Sequence, residues 1–234
     1  MGAPRGAGRA SRARDNSGVS SYVRPSIDAP VFRDAAGAVI EYGARWDGPP
    51  PEDTYSVETH PERFAPVHAV AEALIAHLDD AYDVTVTDDP ATADDMVRPP
   101  YWEVRRAVRV EPSDPACASL TFAFTAYPGI VVHAGLLCDL PYPICGCDAC
   151  DSTWEAEADQ LERQVLAVVT GHYRERVTGT THPWIEHAFT YPDGAASGRS
   201  RAGDVPAARL EAARTILGSL TGGWAAWPLA ARRA

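Results

Sequence analysis

Apolar residues recur at helical spacing early in the chain. Phe64, Val67, Ala71, Leu74 and Leu78 fall on one face, which predicts an amphipathic helix over residues 60–81. Thr59 and Glu62 have capping-box spacing, and Pro61 sits where a missing N–H does no harm. A second stripe, Trp154, Ala158, Leu161, Val165 and Val168, predicts a helix from about Ser152 to Val177, with Gly179 as its stop. Leu210, Ala213, Leu217 and Leu220 mark a C-terminal helix.

Between the first two helices the period changes from 3.6 to 2. Residues 102–110, 119–126 and 130–137 alternate apolar with polar, as an antiparallel sheet with one covered face requires. Tyr82–Thr87 and Trp184–Tyr191 are further strand candidates, and residues 30–41 read as a small hairpin around Asp34–Gly37. The order of elements predicts a single α+β domain. Its main features are an antiparallel sheet, two long amphipathic helices and the C-terminal helix. Residues 1–21 read as a disordered Arg-rich tail, 22–191 as the α+β domain, 192–204 as a patternless linker, and 205–234 as the last helix with a Trp-containing tail. Trp224 and Trp227 are expected to cap the core.

Charge sharpens this outline. Of 234 residues, 32 are Asp or Glu and 21 are Arg, with no Lys, for a formal net charge of -11. The excess is local, because residues 25–95 carry many acids against only Arg33, Arg45 and Arg63. Nonspecific nucleic-acid binding needs basic side chains to neutralise phosphates, so no nucleic-acid partner is expected. No apolar run approaches the roughly 20 residues of a membrane helix, so no membrane partner is expected either. A basic protein is the partner such a surface would steer.

The informative chemistry is a cysteine cluster. Cys138 precedes Cys145-Gly146-Cys147-Asp148-Ala149-Cys150, and only Cys117 stands apart. The chain lacks an export signal, which points to a reducing cytoplasm, where clustered thiols serve metal or redox chemistry better than disulfides. Gly146 allows a sharp turn, and a helix start beside Cys150 favours thiolate. Zinc takes four ligands, often Cys and His. Cys145, Cys147 and Cys150 supply three, and Cys138 or His133 could be the fourth. Water in that place would leave an open Lewis-acid site. His182-Pro183-Trp184-Ile185-Glu186-His187 lacks the i, i+4 histidine spacing of a zinc protease helix. No glycine-rich phosphate loop or G-x-S-x-G element is present.

The run Leu140-Pro141-Tyr142-Pro143-Ile144-Cys145-Gly146-Cys147-Asp148-Ala149-Cys150-Asp151, followed by Thr153-Trp154-Glu155, resembles the core of an uncharacterised actinobacterial family, a domain of unknown function. Tyr55 to His68 is similar to that family too, and the likeness spans Tyr22 to about Tyr191. The resemblance implies a cytoplasmic context and no assigned activity. The residues themselves lead to a cytoplasmic binding or accessory module with a structural Zn²⁺ site. The competing reading is an enzyme using the same cluster, either a zinc-dependent hydrolase with His133 as acid/base or a thiol-redox protein.

Overall fold

The first apolar stripe is buried as expected, but the helix carrying most of it begins late. In the computed structural model, which describes residues 21–98, 100, 102–203 and 205–231, α1 runs Pro66–Ala81. Pro61–Phe64 forms a separate 3-10 turn behind His60, whose φ is 115°. The capping box does not form, because the Thr59 hydroxyl donates to Asp148 Oδ2 at 2.7 Å. All of the expected tail except Ser21 lies outside the described residues.

Five strands follow in meander order: β1 (Val84–Asp88), β2 (Val104–Pro112), β3 (Leu120–Thr125), β4 (Ile130–Ala134) and β5 (Cys138–Tyr142). Every neighbouring pair is antiparallel. The register aligns Val86, Val110, Leu120, Ala134 and Cys138 in one row, and Val108, Phe122, Val132 and Leu140 in the next. This face packs into one core with Val67, Leu74 and Leu78 of α1. Leu161, Val165 and Val168 of α2 (Trp154–Val169) join it.

The opposite face carries a polar row, Thr87, Arg109, Thr121, His133 and Asp139. The sequence pattern leaves this face to solvent, yet all six residues of β3 are buried. A chain segment and a helix cover it. Val97 N–H donates to Asp139 Oδ2 at 2.9 Å, and Arg209 of α3 (Ala207–Ser219) donates to the Met96 carbonyl at 3.0 Å and the Leu136 carbonyl at 2.9 Å.

Helix α2 starts where Thr153 accepts from Ala156 N–H at 3.2 Å, and it ends at Val169, eight residues before Val177, where the sequence pattern ends it. Gly171 takes φ 75°, a left-handed conformation that costs glycine little. The chain then turns into β6 (Tyr173–Thr178), so the residues from Tyr173 to Val177 belong to a strand rather than to the helix. Strand β6 pairs with β7 (Trp184–Tyr191), and β7 with β8 (Gly194–Arg201). The stretch expected to be a linker is therefore mostly a strand. Its backbone hydrogen bonds to β7 supply what its Gly/Ala/Ser side chains cannot.

The expected hairpin at residues 30–41 is reduced to one bridge, Arg33 with Val39, around a turn in which Asp34 Oδ1 accepts from Ala36 and Ala38 N–H at 2.9 Å. Trp224 and Trp227 do close the core. Their indole N–H groups donate to Glu175 Oε2 at 3.1 Å and the Ala118 carbonyl at 2.9 Å. The architecture is α+β, with a five-stranded antiparallel sheet, a three-stranded sheet and a C-terminal helix. Among the described residues, no helix is long and apolar enough to cross a membrane.

Candidate metal centre

Strand β5 ends at Tyr142, and the chain crosses a short loop before α2. Within this loop the Cys150 N–H donates to the Cys147 carbonyl at 3.2 Å, closing a tight turn. The turn brings Sγ of Cys145, Cys147 and Cys150 within 4.8 Å of one another, and Cys145 and Cys147 Sγ lie 3.3 Å apart. Sulfurs on a tetrahedral zinc, each about 2.3 Å from the ion, are about 3.8 Å apart. The observed spread brackets that separation, so the three thiols can hold a metal with small side-chain adjustments. Cys147 is buried, while Cys145 and Cys150 are exposed.

The loop does not owe its shape to the thiols. Its carbonyls and acids are gripped by two arginines from the first third of the chain. Arg63, almost wholly buried, donates to the Gly146 carbonyl at 2.8 Å and the Ser152 carbonyl at 3.3 Å. Arg45 Nη2 donates to the Asp148 carbonyl at 2.6 Å, and Arg45 Nε pairs with Asp151 Oδ1. Asp151 Oδ2 also accepts from Gly43 and Arg45 N–H at 2.9 Å. Asp148 sits within 4 Å of both arginines, at 3.9 Å from Arg45 and 3.8 Å from Arg63. Two backbone bonds complete the attachment, from Asp148 N–H to Val57 O at 2.7 Å and from Ala149 N–H to Thr54 O at 3.1 Å.

Gly146 is required for a steric reason. A Cβ there would stand 1.9 Å from the Tyr127 hydroxyl. That hydroxyl is buried and has no hydrogen-bond partner among the described residues. Tyr127 stacks on Trp102, with ring centroids 5.2 Å apart and planes 19° apart. Together with Glu58, Pro141, Pro143 and Cys145 they wall a cleft of about 310 Å³ on the Cys145 side of the loop.

The protons follow the geometry. Burial alone would raise the Cys147 thiol, but hydrogen bonds from the Cys150 N–H, the Cys145 and Cys150 thiols and the Ser56 backbone outweigh it. The net shift is downward, toward thiolate. Cys150 is pushed up to about 12, first by hydrogen bonding to Cys145 and Cys147 and then by burial. Tyr127 also rises to about 12, through burial and the nearby Glu58 carboxylate, so its phenol stays a donor.

Of the five residues the sequence offered as ligands, the structure brings together three. Cys138 lies on the helix-facing side of β5, buried in the core, and burial pushes its thiol far up. His133 lies on the other side of the sheet, where its Nδ1 is 2.6 Å from Asp139 Oδ1. Neither belongs to the group formed by Cys145, Cys147 and Cys150. The strand register, which sequence patterning does not give, aims each of them elsewhere.

Sequence reasoning missed the anchors Arg45, Arg63, Asp148 and Asp151, and the cleft residues Trp102, Tyr127 and Glu58. One signal was available: Arg45 and Arg63 are two of only three arginines in the acidic stretch 25–95, and the cysteine run contains one aspartate, Asp148, and is followed by another, Asp151.

Residues 28–231 match the model of DUF6226, a family of unknown function. The chain belongs to this family. The match takes in α1, both sheets, the cysteine loop and α3, so in this DUF6226 chain the three thiols and their arginine anchors lie inside the family's domain. No curated protein and no solved structure matches the DUF6226 chain.

Proposed function

We propose that the chain is a zinc-binding module in which Cys145, Cys147 and Cys150 hold the ion as thiolates. The observation that carries this is the convergence of three sulfurs within 4.8 Å of one another on a loop whose shape is already held by buried ion pairs. Preorganised soft donors are what zinc selects. Three thiolates leave a zinc site with a charge of -1, and the guanidinium groups of Arg45 and Arg63 beside the loop temper that field. Bound zinc would tie Cys145, near the end of β5, to Cys150, just before α2. All five cysteines are free, which fits a reducing compartment such as the cytoplasm. The test is elemental analysis of protein purified without added metal. One zinc per chain, lost in Cys147→Ser, is expected; well below one zinc per chain ends the proposal.

The 3.3 Å approach of Cys145 Sγ to Cys147 Sγ favours a second reading, thiol-redox chemistry at this pair. Alkylation kinetics separate the two. A metal protects the thiols until a chelator is added, whereas a redox pair reacts at the same rate with and without chelator.

A further inference from the structure

We infer that the cleft beside Cys145 is a ligand site that presents a neutral, planar azole-type nitrogen to the fourth position of the metal; this deepens the zinc reading above and rests on it. The three sulfurs have no fourth His, Cys, Asp or Glu close enough to join them among the described residues. A tetrahedral ion held there completes its coordination from outside the set. The cleft of about 310 Å³ adjoins the Cys145 thiol, since Cys145 and Gly146 form part of its wall.

The lining chooses the ligand. The stacked Trp102–Tyr127 pair, with Pro141, Pro143 and Ile144, offers a flat and largely apolar surface. Its volume is at the low end of the roughly 300–1,000 Å³ typical of small-molecule clefts, so it suits one or two fused rings rather than a peptide. Polar contacts come from two sides. The Tyr127 hydroxyl is buried and has no partner among the described residues, and a buried donor left unpaired is costly, so a ligand acceptor that reaches it would satisfy it. Glu58 supplies an acceptor for a ring N–H.

Charge settles the donor atom. A carboxylate or thiolate would raise the charge of the zinc site from -1 to -2 beside Glu58, while Arg45 and Arg63 are already paired with Asp148 and Asp151. A neutral sp² ring nitrogen keeps it at -1 and is a normal zinc ligand. The position of Tyr127 also explains Gly146, because any side chain there would occupy the space next to the phenol.

The experiment uses the full chain loaded with cobalt(II) in place of zinc, titrated with imidazole and with benzimidazole, and read from the cobalt d–d bands. Both azoles should shift the bands, with benzimidazole binding more tightly because it adds ring stacking. Trp102→Ala should weaken benzimidazole about fivefold, and Tyr127→Phe should weaken it by about the same factor, each at unchanged cobalt content. Thiolate–cobalt bands that neither azole moves would overturn the inference while leaving the three-thiolate site standing. Equal affinity for the two azoles, unaltered in Trp102→Ala and Tyr127→Phe, would also overturn it, because the cleft would then recognise nothing. Absence of thiolate–cobalt bands would remove the zinc reading and this inference with it.

Discussion

Arg63 donates to the Gly146 carbonyl at 2.8 Å, so a buried guanidinium from the turn before α1 fixes the centre of the cysteine loop 83 residues later. The same side chain lies 3.8 Å from Asp148 and packs its guanidinium 4.5 Å from the Tyr42 ring centroid. It is almost wholly buried. Removing Arg63 takes one of two guanidinium partners from Asp148 and the side-chain donor from the Gly146 and Ser152 carbonyls.

Breaking a buried ion pair by deleting one partner costs about 3–5 kcal/mol. Arg63→Ala should therefore lower stability by that amount in chelator-treated protein. Cys145→Ser, at an exposed thiol, should stay within about 0.5 kcal/mol of the parent under the same conditions. Urea denaturation monitored by tryptophan fluorescence distinguishes them. Equal losses in the two variants would mean that the thiols, not the arginines, shape the loop.

Gly146→Ala should destabilise the chain by about 1–3 kcal/mol through overpacking against Tyr127. Adding Tyr127→Phe should recover part of the loss, because the atom 1.9 Å from the new Cβ is the phenolic oxygen itself. A double-mutant cycle in chemical denaturation measures the coupling. Strict additivity would place the clash elsewhere.

Metal removal should act through mass action. An ion that binds the folded chain alone stabilises it by about 2.7 kcal/mol at a free concentration a hundred times its Kd. Zinc should therefore raise the Tm of the parent, EDTA should reverse the rise, and Cys147→Ser should respond to neither. A parent protein whose Tm ignores zinc would contradict the proposed site.

Glu175 gives a pH signature. Burial raises its carboxyl above the usual value of 4.5, although Leu136 N–H, Leu137 N–H and the Trp224 indole all donate to it. Because the folded-state pKa is the higher one, the folded chain holds this proton more tightly. Its contribution to stability is greatest below pH 4.5, declines as pH rises through the raised pKa, and then levels off. Glu175→Gln removes that proton, so the Tm of the parent minus that of the variant should fall with rising pH across this window. Thermal melts at a series of pH values check it; parallel curves would show that burial does not shift Glu175.

The long apolar stripe of α1 was legible because apolar residues at 3.6-residue spacing suit the buried face of a helix and little else. The stripe of α2 was equally clear to Val168, but Tyr173, Glu175 and Val177 had no local marker. Alternation over six residues fits a strand, and continued helix spacing also covered it. Pairing with Trp184–Tyr191 decided the matter. Strand β8 had still less to show, because its small polar side chains carry no pattern and its stability comes from the backbone of β7.

By itself, the sequence determined the α+β class, the antiparallel sheet, the helix faces and the three cysteines that meet, because each rests on short-range periodicity or on spacing within six residues. The tertiary structure decided the rest of the site. Whether Cys138 and His133 join it depends on strand register, which sends one into the core and the other to Asp139. What holds the loop depends on Arg45 and Arg63, whose partners are 83 to 106 residues away. Only the folded chain brings those charges close enough, and far enough from water, for their pairing to fix a position.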